Sequence, residues 1–361
     1  MDHKLKLMVV DDSPLFRTWL IRSLSEDDRF QIVGYAVNAL DAQEKIPLLQ
    51  PDMLTLDIEM PGMSGIDFLK QLLPVHPIPV ILVSSLNLRV FDALEAGAVD
   101  FVRKPDEANG LSKEIFLSTL RSKLMVAAAS HVHLPSAPAN PQAGGIRKVS
   151  SLPPARNTFL QKPKIPLGAS PETVIAIGAS TGGTEAILEV VKNFPADTPG
   201  VVITQHMPAG FTAMYAERLN RICKMEVREA KNGDRIRKGL MLLAPGGLQM
   251  RVVPLGNSYA VSVQEGEKVN GHRPSVDVLF DSVALHVREH AIGVLLTGMG
   301  ADGTNGILEL SKVKPIYTIA QDAKTCVVYG MPKAIAETGL VNEVVPLTEV
   351  ANSITKNVGV K

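Results

Sequence analysis

The segment LKLMVVDDSPLF, residues 5–16, decides how the first third of the chain folds. Its first six residues form a mostly apolar run of strand length that ends at two aspartates, Asp11 and Asp12. Ser13 then offers a helix cap, and Pro14 suits the first position of a helix. The segment therefore predicts a β-strand followed directly by an α-helix. The apolar residues of that helix are expected to form one buried stripe, made of Leu15, Phe16, Trp19, Leu20 and Leu24.

The same alternation of short apolar runs and helix-length segments continues to about residue 129. The predicted strands span residues 5–10, 31–37, 52–56, 79–83 and 99–102. Each is followed by ten or more residues of helical spacing, which indicates five βα repeats. Because parallel strands need such crossover helices, residues 1–129 are predicted to form an α/β domain with a parallel sheet.

Residues 130–171 differ in amino-acid composition from the sequence on either side. They hold eight of the 25 prolines together with several serines, alanines and glycines, and they lack apolar periodicity. A connection of this length is unusual inside one compact domain, and a chain of 361 residues is long enough for two domains. We therefore predict a flexible linker over residues 130–171 that joins two separate bodies.

Strands and helices alternate again in residues 172–361. Strands are predicted at 173–177, 201–204, 225–229 and 291–296, with helices between several of them. Residues 239–264 form short apolar runs split by glycine-containing turns, which predicts an antiparallel hairpin insertion. This half is therefore predicted to be a second α/β domain, doubly wound and mostly parallel.

Composition and charge exclude several classes of protein. Lys plus Arg (37) equals Asp plus Glu (37), so the net charge supplies no long-range attraction to nucleic acid or anionic lipid. No apolar run approaches the roughly 18 residues that a membrane-spanning helix needs, and the first residues lack the pattern of a signal peptide. Cys223 and Cys326 lie far apart, without the spacing of a zinc site or a disulfide framework. We therefore expect a cytoplasmic protein that neither inserts into a membrane nor binds nucleic acid.

Polar side chains follow four of the predicted strands in the first domain. Asp11 and Asp12 follow the first strand, Asp57 the third, Ser84 the fourth and Lys104 the fifth. The carboxyl ends of parallel strands share one sheet edge, where ligands bind. Three carboxylates there repel one another unless a cation joins them, and their oxygens suit Mg²⁺. A single aspartate at such a position is most often a turn residue or helix cap, but the combination predicts a site that phosphorylates Asp57.

These residues resemble the receiver domain of two-component response regulators, a flavodoxin-like (βα)5 domain. The resemblance rests on residues 7–12, on LTLDIEMPG at 54–62, on VSS at 83–85 and on DFVRKP at 100–105. The roles it implies are phosphoacceptor for Asp57, Mg²⁺ binding for Asp11, Asp12 and Asp57, a switch pair for Ser84 and Phe101, and a phosphate contact for Lys104.

In the second domain, the segment GASTGG at 178–183 follows a predicted strand and opens a predicted helix. It contains G-x-S-x-G, a sharp turn that lifts a serine hydroxyl above a sheet edge while helix amides point toward it. A glycine-rich phosphate loop is the competing interpretation. However, Ser180 breaks the dinucleotide spacing, and Thr184 stands where a P-loop needs lysine. The pattern therefore favours Ser180 as a nucleophile.

A serine nucleophile needs a general base and a group that orients the base. His206 ends the next predicted strand, and Asp302 lies in the loop GMGADG at 298–303 after another strand. Taken alone, His206 is more often a structural histidine, and Asp302 is as often a helix cap. Together with Ser180 they predict a Ser-His-Asp triad, in a chain order that differs from that of the α/β-hydrolases.

The chain from Thr173 onward resembles the chemotaxis protein-glutamate methylesterase/protein-glutamine glutaminase (CheB) family, whose members also carry an N-terminal receiver. The resemblance rests on GASTGG at 178–183, TQHMP at 204–208, HRPSVDVLF at 272–280, LTGMGADG at 296–303 and VYGMP at 328–332. It implies that Ser180, His206 and Asp302 form the catalytic triad. It implies a serine hydrolase that removes methyl esters from chemoreceptor glutamates, releasing methanol, and deamidates certain receptor glutamines during chemotaxis adaptation.

Regulation and partners follow from the same resemblance. In this family the unmodified receiver covers the catalytic face, and phosphorylation of its aspartate shifts the equilibrium toward an open arrangement. The partners implied are methyl-accepting chemotaxis receptors as substrates and a chemotaxis histidine kinase as phosphodonor. Mg²⁺ is expected for receiver phosphorylation, no cofactor is expected for the esterase reaction, and we expect the chain to be a monomer.

Several details of the second site stay open at the level of sequence. The backbone amides of Thr181 or Met299 are candidate donors to an oxyanion. Substitution of Asp302 by Asn is expected to reduce the rate far more than the stability. His272 and Arg273 are expected either to border the substrate groove or to have a structural role.

Two other functions fit part of the sequence. A receiver joined to a DNA- or protein-binding module predicts a basic recognition helix in the second half. Acidic residues interrupt the basic run there, which indicates a solvated face or a substrate rim; the run comprises Arg228, Lys231, Arg235, Arg237 and Lys238. A serine hydrolase with another substrate would explain the triad but not the receiver.

Overall fold

The computed structural model describes residues 4–85, 89–106, 112–128, 173–288, 290–313 and 316–360. Within these ranges the strands form two parallel sheets and one small antiparallel sheet. This arrangement confirms the expected α/β class with its antiparallel insertion. The predicted linker, residues 130–171, and both of its boundaries lie outside the described residues.

The first sheet is built by residues before the linker. Its elements are β1 (Leu5–Val10), α1 (Pro14–Ser25), β2 (Phe30–Ala36), α2 (Ala39–Leu49), β3 (Met53–Leu56), α3 (Gly65–Leu72), β4 (Val80–Ser84), α4 (Arg89–Glu95), β5 (Asp100–Arg103) and α5 (Lys113–Ala128). In the described part of this sheet, five strands pair in parallel in the order β2-β1-β3-β4-β5. The five predicted strands are confirmed, with ends displaced by one residue at most.

The first helix begins where its sequence predicts. Ser13 Oγ accepts a hydrogen bond from the Phe16 amide at 3.4 Å, and Pro14 occupies the first helical position. Leu20 and Leu24 are buried, but Leu15 is 87% exposed, so the predicted stripe is wrong at Leu15. Nine residues separate Leu15 from Leu24, which is about two and a half helical turns and places the two side chains on opposite faces.

The second sheet is built by residues after the linker. Its elements, with those of the small sheet, are β6 (Val174–Ala179), α6 (Gly183–Val191), β7 (Gly200–Gln205), α7 (Phe211–Ile222), β8 (Glu226–Glu229), β9 (Arg235–Ile236), β10 (Leu240–Leu243), β11 (Gln249–Leu255), β12 (Ser258–Gln264), α8 (Val276–His286), β13 (Ala291–Leu295), α9 (Thr304–Val313), β14 (Tyr317–Gln321), α10 (Met331–Glu337), β15 (Glu343–Val345) and α11 (Leu347–Val358). The strand order is β15-β14-β13-β6-β7-β10-β8, all parallel where paired.

The hairpin insertion is smaller than the sequence predicts. Strands β11 and β12 pair antiparallel, with β9 at the edge of β12. Strand β10, which falls inside the expected insertion, instead pairs in parallel between β7 and β8. All four of its residues are buried, whereas exposed and buried residues mix along β11. A short run that is apolar on both faces is typical of a buried parallel strand, which explains the difference.

The strand order determines where a site can form. Strand β6 lies at the centre of the large sheet, with β7 on one side and β13 on the other. The chain therefore runs outward in opposite directions from β6, and the loops after β6, β7 and β13 meet at the reversal point. All six residues of β6 are buried, which holds this centre in place. Among the described residues, no helix is both long and apolar enough to cross a bilayer.

The packing of α8 yields a stability prediction. Phe280 is completely buried in the core beneath the large sheet, whereas Leu285 on the same helix is 77% exposed. We expect Phe280→Ala to lower the free energy of unfolding by about 3–5 kcal/mol because it removes apolar contacts and leaves a cavity. Leu285→Ala is the matched control and should change stability by less than about 0.5 kcal/mol. Urea denaturation of the full chain checks both, and equal effects would contradict the packing.

Candidate active site

Ser180 lies at the carboxyl end of β6, in the turn that leads into α6. Gly182 in this turn has a φ of +75°, and a Cβ there would come within 2.6 Å of the Val327 Cβ. A Cβ at Gly183 would come within 2.2 Å of Gln205 Oε1. The turn therefore needs both glycines. Gln205 also fastens it, because its Nε2 donates a hydrogen bond to the Ser180 carbonyl at 2.8 Å.

The three residues of the predicted triad meet above the centre of the large sheet. His206 Nδ1 lies 3.1 Å from Ser180 Oγ, and His206 Nε2 lies 2.7 Å from Asp302 Oδ2. The His206 side chain is 7% exposed and that of Asp302 is 2% exposed. The structure thus brings together a hydroxyl, an imidazole and a buried carboxylate within hydrogen-bond reach.

The Asp302 carboxylate accepts five hydrogen bonds. Oδ2 accepts from His206 and from the Val276 amide (2.7 Å), and Oδ1 accepts from Asn270 Nδ2 (2.8 Å), Ser275 Oγ (2.8 Å) and the Asp277 amide (3.1 Å). Burial alone would raise the pKa of this carboxyl group, but the bonds to His206, Val276 and Asn270 hold the pKa well below its usual range. Asp302 is therefore ionised at neutral pH.

An ionised Asp302 determines the tautomer of His206. A carboxylate accepts hydrogen bonds and donates none, so the proton of the neutral imidazole sits on Nε2. The lone pair of Nδ1 is then directed to Ser180 Oγ. The two ring nitrogens therefore have the opposite roles to those in the serine proteases, in which Nε2 faces the serine and Nδ1 faces the aspartate.

The candidate oxyanion donors lie beside Ser180. The Ser180 amide donates to the Thr297 carbonyl at 3.0 Å, so it is already used. The amides of Thr181 and Met299 donate no hydrogen bond to any described residue. A Cβ on Gly298 would lie 2.7 Å from the Ser180 Cβ, so the Gly298–Met299 backbone passes directly beside the nucleophile. These two amides remain candidates for the oxyanion site.

Sequence reasoning missed three groups that complete the surroundings of the triad. Asn270, Ser275 and the Asp277 amide all bind Asp302. His272, which the sequence left between a groove position and a structural role, packs on His206 with ring centroids 3.7 Å apart. The Asn-Gly pair at 270–271 was a turn signal that could have been noticed. The direction in which its side chains point is a tertiary property that no local pattern reports.

The acidic residues of the first domain also meet at one sheet edge. One carboxylate oxygen from each of Asp11, Asp12 and Asp57 lies within 4.8 Å of the other two, and Asp11 and Asp57 are buried. Lys104 Nζ lies 2.9 Å from Asp11 and also contacts Asp57. Burial raises the pKa of Asp57, although Lys104 opposes that effect. A set of three hard oxygen ligands beside one ammonium fits Mg²⁺ and a phosphoryl group.

The two switch candidates are both buried. Ser84 Oγ makes no hydrogen bond to a described residue. Phe101 is 3% exposed, and its ring packs against Phe211 of α7 with centroids 4.6 Å apart. The predicted switch residue of the first domain therefore contacts the second domain.

A broader contact joins the first domain to the loop that carries Ser180. Thr181 Oγ1 donates a hydrogen bond to Asp100 Oδ2 at 2.9 Å, directly beside the nucleophile. Around this bond, Phe91 stacks on Tyr215 with centroids 5.3 Å apart, and the Arg218 guanidinium pairs with Glu95 at 2.7 Å. Elements α4 and β5 of the first domain therefore pack on α6 and α7 of the second.

Fold and site together define a response regulator in which a receiver is joined to a serine hydrolase. A response regulator receiver domain model matches residues 7–116, and a CheB methylesterase model matches residues 175–354. The chain belongs to the CheB methylesterase family.

Individual relatives are similar in sequence to this chain over nearly its whole length. The chain is 47% identical to the protein-glutamate methylesterase/protein-glutamine glutaminase 2 of Syntrophomonas wolfei over 98% of both chains. It is 47% identical to the enzyme of the same name from Syntrophotalea carbinolica, again over 98% of both chains. The crystal structure of the Thermotoga maritima CheB methylesterase catalytic domain is 34% identical, with 50% of this chain and 96% of that chain covered and a TM-score of 0.49.

The saturated Asp302 carboxylate yields a stability prediction that the sequence did not suggest. Asp302→Asn turns one acceptor oxygen into a donor facing other donors, so we expect a loss of about 1–3 kcal/mol in unfolding free energy at pH 7. Since the folded-state pKa of Asp302 is lowered, its contribution is full above about pH 4 and is lost as the pH falls. The deficit of the variant should therefore shrink on acidification.

Urea denaturation at pH 7 and at about pH 3, which lies between the unfolded-state and the lowered folded-state pKa of Asp302, measures this difference. Asp197→Asn is the control, because Asp197 lies in an exposed pair with Lys238. It should change stability by less than about 0.5 kcal/mol at both pH values. A deficit of Asp302→Asn that grows as the pH falls would contradict the assignment.

Proposed function

We propose that this protein is a phosphorylation-regulated serine hydrolase that demethylates glutamate γ-methyl esters on chemoreceptors and deamidates specific receptor glutamines. The observation that carries the proposal is the chain of two short contacts from Ser180 through His206 to the buried Asp302. The names of the relatives supply the two activities, and acyl transfer at one serine accounts for both.

The chemistry follows from the geometry of the triad. His206 Nδ1 takes the Ser180 proton as Oγ attacks the carbonyl carbon, and the developing oxyanion accepts bonds from the amides of Thr181 or Met299. The imidazolium, stabilised by Asp302, then returns its proton to the leaving oxygen, and methanol departs. Water attacks the resulting acyl-enzyme with Nδ1 as base, which releases glutamate and restores Ser180. With a glutamine substrate, ammonia is the leaving group.

None of these steps requires a cofactor. The serine supplies the nucleophile, the imidazole moves every proton and the amides stabilise the negative charge. The leaving methanol and ammonia differ in how much they depend on the proton from His206, because nitrogen must be protonated before it departs. We therefore infer that deamidation is the more sensitive of the two reactions to any change at His206.

In the receiver, phosphorylation is proposed at Asp57. A receiver domain implies phosphorylation that usually depends on Mg²⁺, and Asp11, Asp12 and Asp57 would hold the ion. The ion would neutralise the negative charge that builds up on the transferred phosphoryl group. Lys104 is placed to contact a phosphoryl oxygen because its Nζ already lies between Asp11 and Asp57. Ser84 supplies a hydroxyl that no described residue binds by a hydrogen bond, and its proposed partner in the switch is Phe101.

Regulation is proposed to act through the contact between the two domains. The bond from Thr181 to Asp100 and the packing of Phe101 on Phe211 hold the receiver against the loop that carries Ser180. A large substrate such as a receptor helix needs access to that loop. Phosphorylation can favour the open arrangement only by interacting differently with the two states. Phe101 packs on Phe211 at the interface, and it lies three residues before Lys104, which contacts Asp57.

The proposed setting follows from the substrate. Because receptor helices and a histidine kinase phosphodonor would lie in the cytoplasm, the protein is proposed to be cytoplasmic, and it is further proposed to be a monomer. The proposed division is a receiver at 1–129, a linker at 130–171 and a methylesterase domain at 172–361, and the two family matches fall inside the outer segments. A DNA-binding role is disfavoured because Arg228 pairs with Asp234 and Arg237 with Glu226.

The direct test is methanol release from methylated chemoreceptor membranes by the full chain. Release should rise when Mg²⁺ and a small phosphodonor are added. Ser180→Ala should reduce turnover on the order of 10³-fold or more without loss of folding, because it removes the nucleophile. Asp57→Asn should keep the basal rate and lose the rise. Release that persists in Ser180→Ala, or a rise that persists in Asp57→Asn, would contradict the proposal.

The interface yields a separate prediction. Glu95→Lys places two cations together in the contact with Arg218, so the unphosphorylated enzyme should open more often and its basal rate should rise about two- to fivefold. Glu309→Lys makes the same charge change in an exposed pair on α9 and should leave the basal rate unchanged. Equal basal rates in the two variants, measured without phosphodonor, would show that this contact does not restrain the enzyme.

A further inference from the structure

A tight turn outside the strand-end loops lies directly against the triad. Val269 and His272 exchange two backbone hydrogen bonds, of 3.0 and 2.9 Å, around the central residues Asn270 and Gly271. Both central residues have positive φ, at 53° and 81°. Asn-Gly is the preferred sequence for a two-residue turn of this kind. The turn is therefore a well-defined local structure that can hold side chains in fixed directions.

This turn presents one side chain to each member of the His-Asp pair. Asn270 Nδ2 donates to Asp302 Oδ1 at 2.8 Å and also to Asp277 Oδ2 at 2.7 Å. The His272 ring lies flat on the His206 ring, with centroids 3.7 Å apart and an interplanar angle of 9°. His206 is thus held at its edge by Asp302 and on its face by His272.

The turn is itself anchored from below. Gln249 Nε2, which is buried, donates to the carbonyls of Glu267 (2.9 Å) and His272 (3.3 Å). Gln249 Oε1 accepts from the Ser275 amide at 2.9 Å, and Ser275 in turn binds Asp302. The backbone of His272 is therefore anchored by the same hydrogen-bond network that supports Asp302.

The protonation state of His272 is compatible with a ring that packs against His206. Burial and the neighbouring His206 lower the pKa of His272 to about 4, so the ring is neutral near pH 7. Its ring nitrogens have no hydrogen-bond partner among the residues that the structure describes. A neutral aromatic face does not repel a neighbouring imidazolium and attracts it weakly. The ring face, rather than the nitrogens, makes the contact that the structure shows.

We propose that His272 is a positioning residue for the reaction, whose ring face holds His206 in the plane that joins Ser180 to Asp302. The inference rests on the proposed function, since it assigns a role to a residue that acts through the general base. Stacking leaves the His206 ring free to gain and lose its proton while preventing it from tilting away from Ser180. The required property is therefore a flat aromatic face, not an ionisable group.

Three substitutions separate the ring face from the nitrogens. His272→Phe keeps a flat aromatic ring, His272→Gln keeps polar nitrogen without an aromatic face, and His272→Ala removes both. We expect His272→Ala and His272→Gln to lose kcat about tenfold, with KM within twofold, since aromatic pairs contribute roughly 0.5–1.5 kcal/mol. His272→Phe should retain most of kcat. The assay is methanol release by the fully phosphorylated full chain, with unfolding midpoints measured for each variant.

Two outcomes would overturn the role. Full activity in His272→Ala and His272→Gln would show that His206 needs no support from this ring. Activity of His272→Phe as low as that of His272→Gln would show that the nitrogens matter instead of the face. The comparison of Phe with Gln stays decisive even if the Ala variant fails to fold, because both replacements fill the space.

A spectroscopic measurement separates this inference from the proposed function. The proton shared by His206 Nε2 and Asp302 should give a far-downfield ¹H NMR signal that disappears in Asp302→Asn. The signal should persist in His272→Phe and be lost or broadened in His272→Gln. That result would support the positioning role even if wild-type protein released no methanol, an outcome that would reject the proposed function alone. An unchanged signal in His272→Gln would reject the positioning role.

Discussion

The Asp302 carboxylate is the constraint on which the catalytic half depends. It is buried, yet it stays ionised because five donors surround its two oxygens. A buried charge is tolerated only where it is paired in this way, so the start of α8, the Asn270 turn and His206 all have to converge on it. The same convergence sets the tautomer of His206 and aims Nδ1 at Ser180. Folding and catalysis therefore use the same set of hydrogen bonds.

The parts of this site that the sequence predicts are those set by the parallel sheet. Ser180, His206 and Asp302 each follow a strand, and a parallel sheet places such positions at one edge whatever the details of packing. The same reasoning placed Asp11, Asp57 and Lys104 together in the receiver. The strand β10 was misjudged because a fully buried parallel strand and a hairpin strand both appear as short apolar runs.

The parts that the sequence did not predict arise from contacts between elements distant in the chain. Asn270 stands 32 residues from Asp302, and Thr181 stands 81 residues from Asp100. No periodicity or capping rule reports such a pair, because each depends on how two loops or two domains pack. The ring of His272 is similar: its position in a motif suggested a groove or a structural role, and only the tertiary structure shows its face against His206.

Strand β5 shows how the two sites can be coupled over a short path. Asp100 at its start binds Thr181, Phe101 packs on α7, and Lys104 just beyond its end contacts Asp57. Four residues of extended chain span about 13 Å. A phosphoryl group that binds Lys104 would therefore act on the same short strand that contacts the turn carrying Ser180. Coupling through this strand needs no long chain of intermediates. Under the proposed regulation it requires two packings of one strand end, and the arrangement described here is the one in which Asp100 binds Thr181.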